Sequence, residues 1–302
     1  MCKDNTATKT KSRPIIMTSL ESFSEHDGQI PGTFHLLTTS AAVLSVFTGL
    51  ELFLRYFINA NKHVLPLLED ETNRQILARH LGTDVVGCFW VAYLGWSARH
   101  VCQDMTNRVL KRTNSMPDAG HEQRIFTYQP EAFRLLNVFF AYQIKNMFDC
   151  IVWGDGPEYI FHHFMSMLAA YTGLGYGLVH FYAIFFMGVS EISTGILCFL
   201  ANFDPDHGVP GLAEALPVTK MINAGLFVVF FIICRVIMWP IATYYCARDI
   251  TMCLNGESEL AKKNTLPLRS CRVALVAVSA LQIVFLAQIV IIGRKELAAM
   301  SA

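Results

Sequence analysis

From about residue 34 onward the chain is a succession of long apolar runs, each holding a few polar residues and separated from the next by charged or Gly/Pro-containing stretches. Seven runs are long enough to cross the hydrocarbon core of a bilayer, which takes roughly 20 helical residues for about 30 Å. They cover residues 34–58, 84–101, 132–153, 158–176, 179–203, 221–246 and 272–292. None alternates with a two-residue period as a barrel strand does, and a backbone in lipid must satisfy its own hydrogen bonds, so each is predicted to be helical. The pattern predicts an all-α, polytopic membrane protein with seven transmembrane helices.

The connections refine this picture. Residues 59–83 are charged, and residues 102–131 carry Pro117, Asp118, Gly120 and Pro130 in a polar surround, so both read as exposed connections. Between the third and fourth runs lies only the cluster Gly154, Asp155, Gly156, Pro157. So short a reversal makes the two helices antiparallel neighbours and puts Asp149, at the end of one, within expected reach of His162 or His163 at the start of the other.

Polar residues deep inside the runs are the candidates for function, because an ionisable group at the centre of a span costs on the order of 2.5–3.5 kcal/mol and tends to face a protein-lined space. The first run holds Glu51 and Arg55, four residues apart and suited to a self-neutralising pair on one helical face. The fourth holds the adjacent His162 and His163, with Tyr159 and Ser166 forming a polar stripe around the first of them. Glu191, Ser193 and Thr194 sit in the fifth. The sixth holds Arg235, which wants an anionic partner such as Glu191 or a lipid head group, and Pro240, which kinks its helix.

Composition supports the membrane assignment and removes several alternatives. The chain of 302 residues is 53% hydrophobic and 16% charged, with 24 basic residues balanced by 24 acidic ones. No overall basic field argues for nucleic acid. The nine cysteines include no C-x-x-C, so neither a disulfide framework nor a zinc site is signalled. The polar arm, residues 1–33, has no apolar stretch of the kind a signal peptide needs. Neighbouring residues on a helix point about 100° apart, so His162 and His163 do not ligate one ion together, and no metal site is expected. They suit a division of labour in which one imidazole faces a cavity and the other bonds a neighbouring helix.

Three features together resemble the TLC-domain family, which includes ceramide synthases, translocon-associated membrane proteins and smaller TLC-domain proteins of lipid homeostasis. They are the FHHF pair shortly after an acid-bearing helix end (Asp149 to His163), the stretch SEIST about thirty residues later, and the late span FFIICRVIMWP. The SEIST form is closer to the smaller members than to ceramide synthases, whose H-D-x-x-D motif is here represented by Ser190, Glu191 and Thr194.

The resemblance implies a six-helix TLC core over residues 84–293, preceded by an extra helix and loop (34–83) and followed by a short tail (294–302). It implies an endomembrane setting, the endoplasmic reticulum or a related compartment, and membrane lipids as partners, with homo- or hetero-oligomers open. Two functions stand beside each other. One is acyl transfer from acyl-CoA, as co-substrate with no further cofactor, to a lipid acceptor: His162 or His163 acts as base or nucleophile, Asp149 or Glu191 orients it, and Arg235 holds an anionic head group with Tyr159, Ser193 and Thr194 lining the site. The other is a non-catalytic lipid sensor, cargo receptor or membrane organiser. Orientation is contested between two arguments. Basic residues concentrate on the side of the amino terminus, which the positive-inside rule makes cytosolic, whereas the family implies the reverse, with the histidine pair near the cytosolic face.

Overall fold

The structure, a computed structural model, describes residues 30–103, 105, 120–204 and 207–301. The expected polar arm, up to residue 29, lies outside them, as does most of the connection after Gln103. Among the described residues the protein is all-α. Helix α1 spans Thr33–Ala60. Helix α2 (Glu71–Arg79) runs through a wider π-helical stretch (His80–Val85) into α3 (Val86–Ser97) without interruption. A short α4 (His121–Phe126) precedes the hairpin of α5 (Pro130–Trp153) and α6 (Pro157–Tyr176). Helices α7 (His180–Ala201), α8 (Pro217–Asn255) and α9 (Thr265–Ser301) follow, with short helices at Leu212–Ala215 and Glu259–Lys263 in the connections between them.

Among the described residues four helices are long and apolar enough to cross a membrane: α1, α7, α8 and, over Thr265–Lys295, α9. The other three expected spans fall on α3, α5 and α6. The span expected over 84–101 differs most, since its helix begins at Glu71 and ends at Ser97. The charged stretch before it is helical because Asp70 caps it, its carboxylate accepting the Thr72 backbone N–H at 2.7 Å. Its charged residues therefore belong to a helix tip rather than to a loop.

Helix α7 is the centre of the assembly. Within its most apolar window 61% of residues are buried, against 22% for α1 and α8 and 11% for α9, whose outward apolar faces such as Val228, Ile232, Ile283 and Ile291 have no protein cover and suit lipid. The close approach of α3 and α7 depends on a pair of glycines. A Cβ on Gly95 would lie 2.6 Å from the Gly188 Cα, and one on Gly188 would lie 2.7 Å from the Gly95 Cα, so any side chain at either position forces the backbones apart.

The two reversals that frame the histidine helix are set locally. Gly154 and Gly156 take φ values of 71° and 127°, open to glycine, and Pro157 starts α6 with its fixed φ. The far reversal uses Gly177 and, unusually, the β-branched Val179 at φ 57°. Val179 is held there by burial and by its N–H, which donates to the Ile125 carbonyl at 2.8 Å.

Candidate functional site

Glu191 and Arg235 meet in the interior between α7 and α8. One guanidinium nitrogen donates to Glu191 Oε1 at 2.9 Å and to Thr194 Oγ1 at 2.7 Å, while Nε donates to Ser193 Oγ at 3.2 Å. The guanidinium also lies 4.6 Å from the centre of the Trp239 ring, and both charged residues are buried. The SEIST stretch thus acts as one receptor: successive residues on a helix turn supply a carboxylate and two hydroxyls to a single arginine. Each helix reaches this geometry through π-helical turns, Phe185–Val189 just before Glu191 and Ile232–Met238 around Arg235. The second precedes Pro240, which cannot donate to the carbonyl four residues back, so a widened turn accommodates the break that proline imposes.

The two histidines diverge. His163 is buried and its Nδ1 lies 2.6 Å from Gln143 Oε1 on α5. His162 turns towards the Glu191–Arg235 pair, edge-on to His163 and to Phe285, and its buried Nδ1 has no hydrogen-bond partner among the described residues. Tyr159 stacks on Phe285 at 6.0 Å between centroids.

Asp149 is not brought to the histidines. Its carboxylate accepts from Lys145, one turn earlier on the same helix, at 2.5 Å, and Lys145 also donates to Glu51 on α1 at 2.8 Å. An i,i+4 lysine is closer to a carboxylate than a side chain across a loop, which is why the local pair wins. Glu51 pairs with Arg55 at 2.7 Å as expected, but shares its other oxygen with Lys145, so the pair is a link between α1 and α5 rather than self-contained.

A narrow cavity of about 40 Å³ connects these groups to the opposite end of the bundle. His162, Ser166, Glu191 and Arg235 line one end, and Tyr182 and Cys246 the other. Eleven residues of α8 separate Arg235 from Cys246, about 16 Å of helix, and the walls between are apolar. The space admits a water or two. A lipid enters only if side chains or helices move apart. Beyond Tyr182 lies a second polar cluster: the Asp249 carboxylate accepts from the Tyr182 hydroxyl at 2.5 Å and from Arg124 Nε at 2.5 Å. Among the described residues no group of three or more His, Cys, Asp or Glu side chains is placed to hold a metal ion.

Sequence reasoning overlooked Gln143, Trp239 and the Arg79–Asp155 ion pair. The spacing of Lys145 from Asp149 was legible, but not its bond to Glu51 on α1. Arg79 bonds Asp155 across the helix-hairpin turn and sits against Trp153, from a stretch that reads as an exposed loop. Burial alone would raise the Asp155 carboxyl, but the bond and charge of Arg79 hold it below the usual carboxylate range. Nothing in the sequence pointed to Gln143.

Fold and buried polar site together define a polytopic, all-α membrane protein with an intramembrane polar chamber. The family model for the TLC domain (TRAM, LAG1 and CLN8 proteins) matches residues 83–291, more than half of the chain, and the chain belongs to this lipid-related membrane protein family. Helix α1 lies outside the matched region. Comparison with curated proteins and with solved structures found no match.

Proposed function

We propose that this is an endomembrane protein of lipid homeostasis, resident in the endoplasmic reticulum or a related membrane, whose chamber recognises a lipid through His162. The observation that carries this reading is the His162 Nδ1, buried beside an ion pair and without a partner. A buried polar atom left unpaired costs about 1–3 kcal/mol, and a head group offering a hydroxyl, amide or carbonyl would recover it. Recognition is favoured over catalysis because every candidate orienting acid is already engaged. Asp149 is held by Lys145 and Glu191 by Arg235, so neither supports an imidazole as base. Arg235, neutralised by Glu191, favours a neutral head group over an anionic one.

Acyl transfer is the second reading, supported by the same free imidazole. His162 would take the proton of an amine or hydroxyl acceptor as its oxygen or nitrogen attacks the thioester of acyl-CoA, the coenzyme A thiolate leaving. One experiment separates the two. Purified protein is analysed for co-purifying lipid by mass spectrometry and incubated with radiolabelled acyl-CoA and candidate acceptors. Binding without turnover, with the lipid lost in His162→Ala and kept in His163→Gln, supports recognition. Turnover abolished by His162→Ala supports transfer. Absence of both lipid and turnover refutes the chamber as a lipid site.

A further inference from the structure

Helices α1 and α2 precede the matched family domain, and between them they enclose an open pocket of about 470 Å³. Arg55, Tyr56 and Asn59 of α1 line it together with Glu71, Arg74 and Gln75 of α2. Its volume falls within the range of small-molecule sites, roughly 300–1,000 Å³. None of the six residues lines the His162 chamber. The depth of the pocket follows from α1. The 28 residues of this apolar helix make about 42 Å, close to the roughly 40–45 Å of a bilayer with its head-group layers, so its last turns stand in one of those layers. Arg79, at the other end of α2, bonds Asp155 in the turn before α6, which places the pocket on the same face of the bundle as the start of the histidine helix.

The lining carries charges of both signs, and two of them are uncommitted. Arg55 donates to Glu51 Oε1 at 2.7 Å, and that carboxylate offsets its charge. Arg74 instead donates from one nitrogen to the backbone carbonyls of Leu68 and Glu69, both at 2.8 Å, and has no ion-pair partner among the described residues. Glu71 accepts from Gln75 at 3.0 Å through one oxygen and has no cationic partner among the described residues either. The pocket therefore presents one open positive charge on Arg74 and one open negative charge on Glu71. The Tyr56 ring and the Asn59 amide stand beside them.

We propose that this pocket seats the head group of a zwitterionic phospholipid, with the phosphate against Arg74 and Arg55 and the ammonium against Glu71. The planar donors of arginine match the oxygens of a phosphate. An ammonium is attracted both to the Glu71 carboxylate and to the face of an aromatic ring such as Tyr56. A zwitterion adds one charge of each sign and leaves the local balance at zero, whereas an anionic lipid brings a negative charge that Glu71 repels. Next to Arg55 and Tyr56 and deeper in the span, Leu52 and Phe53 are exposed, so the acyl chains of a lipid seated here have apolar surface to lie against. The site is independent of the His162 reading, since it lies on helices outside the chamber.

The test uses the full chain, delipidated in detergent and titrated with phosphatidylcholine, phosphatidylglycerol or diacylglycerol, with the first bound equivalent followed by native mass spectrometry. Wild type is expected to bind phosphatidylcholine more tightly than either of the others, by about three- to fivefold, the scale of an exposed charge pair. Glu71→Gln removes the repulsion and is expected to shift the preference towards phosphatidylglycerol. Arg74→Gln is expected to weaken both phospholipids by a similar factor. Arg294→Gln, a change of exposed charge on α9, and His162→Ala are expected to leave the ratios unchanged. Soluble glycerophosphocholine is expected to compete poorly; competition as strong as that of the lipid would make the ligand a free phosphodiester and overturn the lipid assignment. Equal affinity for the two phospholipids in wild type, or an unchanged ratio in Glu71→Gln, overturns the proposal and leaves Glu71 and Arg74 as solvated charges of a helix tip. Binding lost in His162→Ala but kept in Glu71→Gln assigns the lipid to the chamber and overturns it too. Should Arg74→Gln fail to fold for want of its bonds to the Leu68 and Glu69 carbonyls, the shift in Glu71→Gln decides by itself.

Discussion

Arg235 and Arg55 each bond a glutamate, but their surroundings make the two bonds unequal. The Arg235 side chain is 7% exposed and is the basic partner of Glu191 among the described residues, whereas that of Arg55 is 40% exposed and shares Glu51 with Lys145. Removing one partner of a buried pair strands the other, so Arg235→Leu is expected to cost about 3–5 kcal/mol, and adding Glu191→Gln to it to restore part of that. For Arg55→Leu, screened by solvent and with Lys145 still in place, the expected cost is within about 1 kcal/mol. Thermal unfolding of the three variants in detergent checks both values. A second test at this scale concerns His80 at the membrane boundary, whose Nδ1 lies 3.1 Å from Asn202 Oδ1. Burial, followed by the neighbouring Arg79 charge, pushes its imidazole down from 6.5 to about 4. The unfolded chain therefore takes up a proton first as pH falls, so the stability this neutral histidine allows is complete above about 6.5 and is lost progressively towards about 4. Melting temperature measured across that window should fall less steeply in His80→Gln than in the wild type.

At the scale of helices, the contact between α3 and α7 rests on Gly95 and Gly188, and other helical glycines provide internal controls. Gly188→Ala places a methyl within 2.7 Å of the opposing backbone and is expected to destabilise by about 1–3 kcal/mol or more. Gly49→Ala and Gly225→Ala meet nothing within 4 Å and are expected to be neutral or to stabilise by up to about 1 kcal/mol through helix propensity. Loss of the difference between these two groups in melting experiments would show that α3 and α7 are not packed this closely. The existence of the helices was legible from the apolar runs, and so was the antiparallel hairpin of α5 and α6, since four turn-forming residues leave no other geometry. The helical turns of α2 were not, because a charged helix tip and a charged loop look alike when only hydrophobicity is read; Asp70 was the signal that distinguished them. The π-helical stretches before Glu191 and around Arg235 were also illegible. Whether a carbonyl is reached from four or five residues on depends on what presses against the helix, and propensity does not encode that.

For the whole molecule, the open prediction is orientation. The seven crossings expected from the apolar runs would place the termini on opposite faces, and the structure puts the His162 chamber nearer the face of the carboxyl terminus, since His162 lies near the start of α6 and α9 ends on that side. The family orientation makes that face cytosolic, so a glycosylation acceptor fused to the carboxyl terminus is expected to remain unmodified; a glycosylated tail would favour the charge-based orientation and remove acyl-CoA from reach of the chamber. The sequence by itself determined the membrane class, the helical content and the residues worth examining, because each of these follows from local composition: apolar length, turn residues and costly polar groups in apolar surroundings; the family was legible only through the resemblance of its motifs. Only the tertiary structure decided how those polar groups pair. Glu191 could have met a histidine, a lipid or an arginine, and Asp149 could have met His162, His163 or Lys145. The outcome turns on helix rotation and on distances of a few ångströms between segments far apart in the chain, and these are set by the packing of all the helices at once.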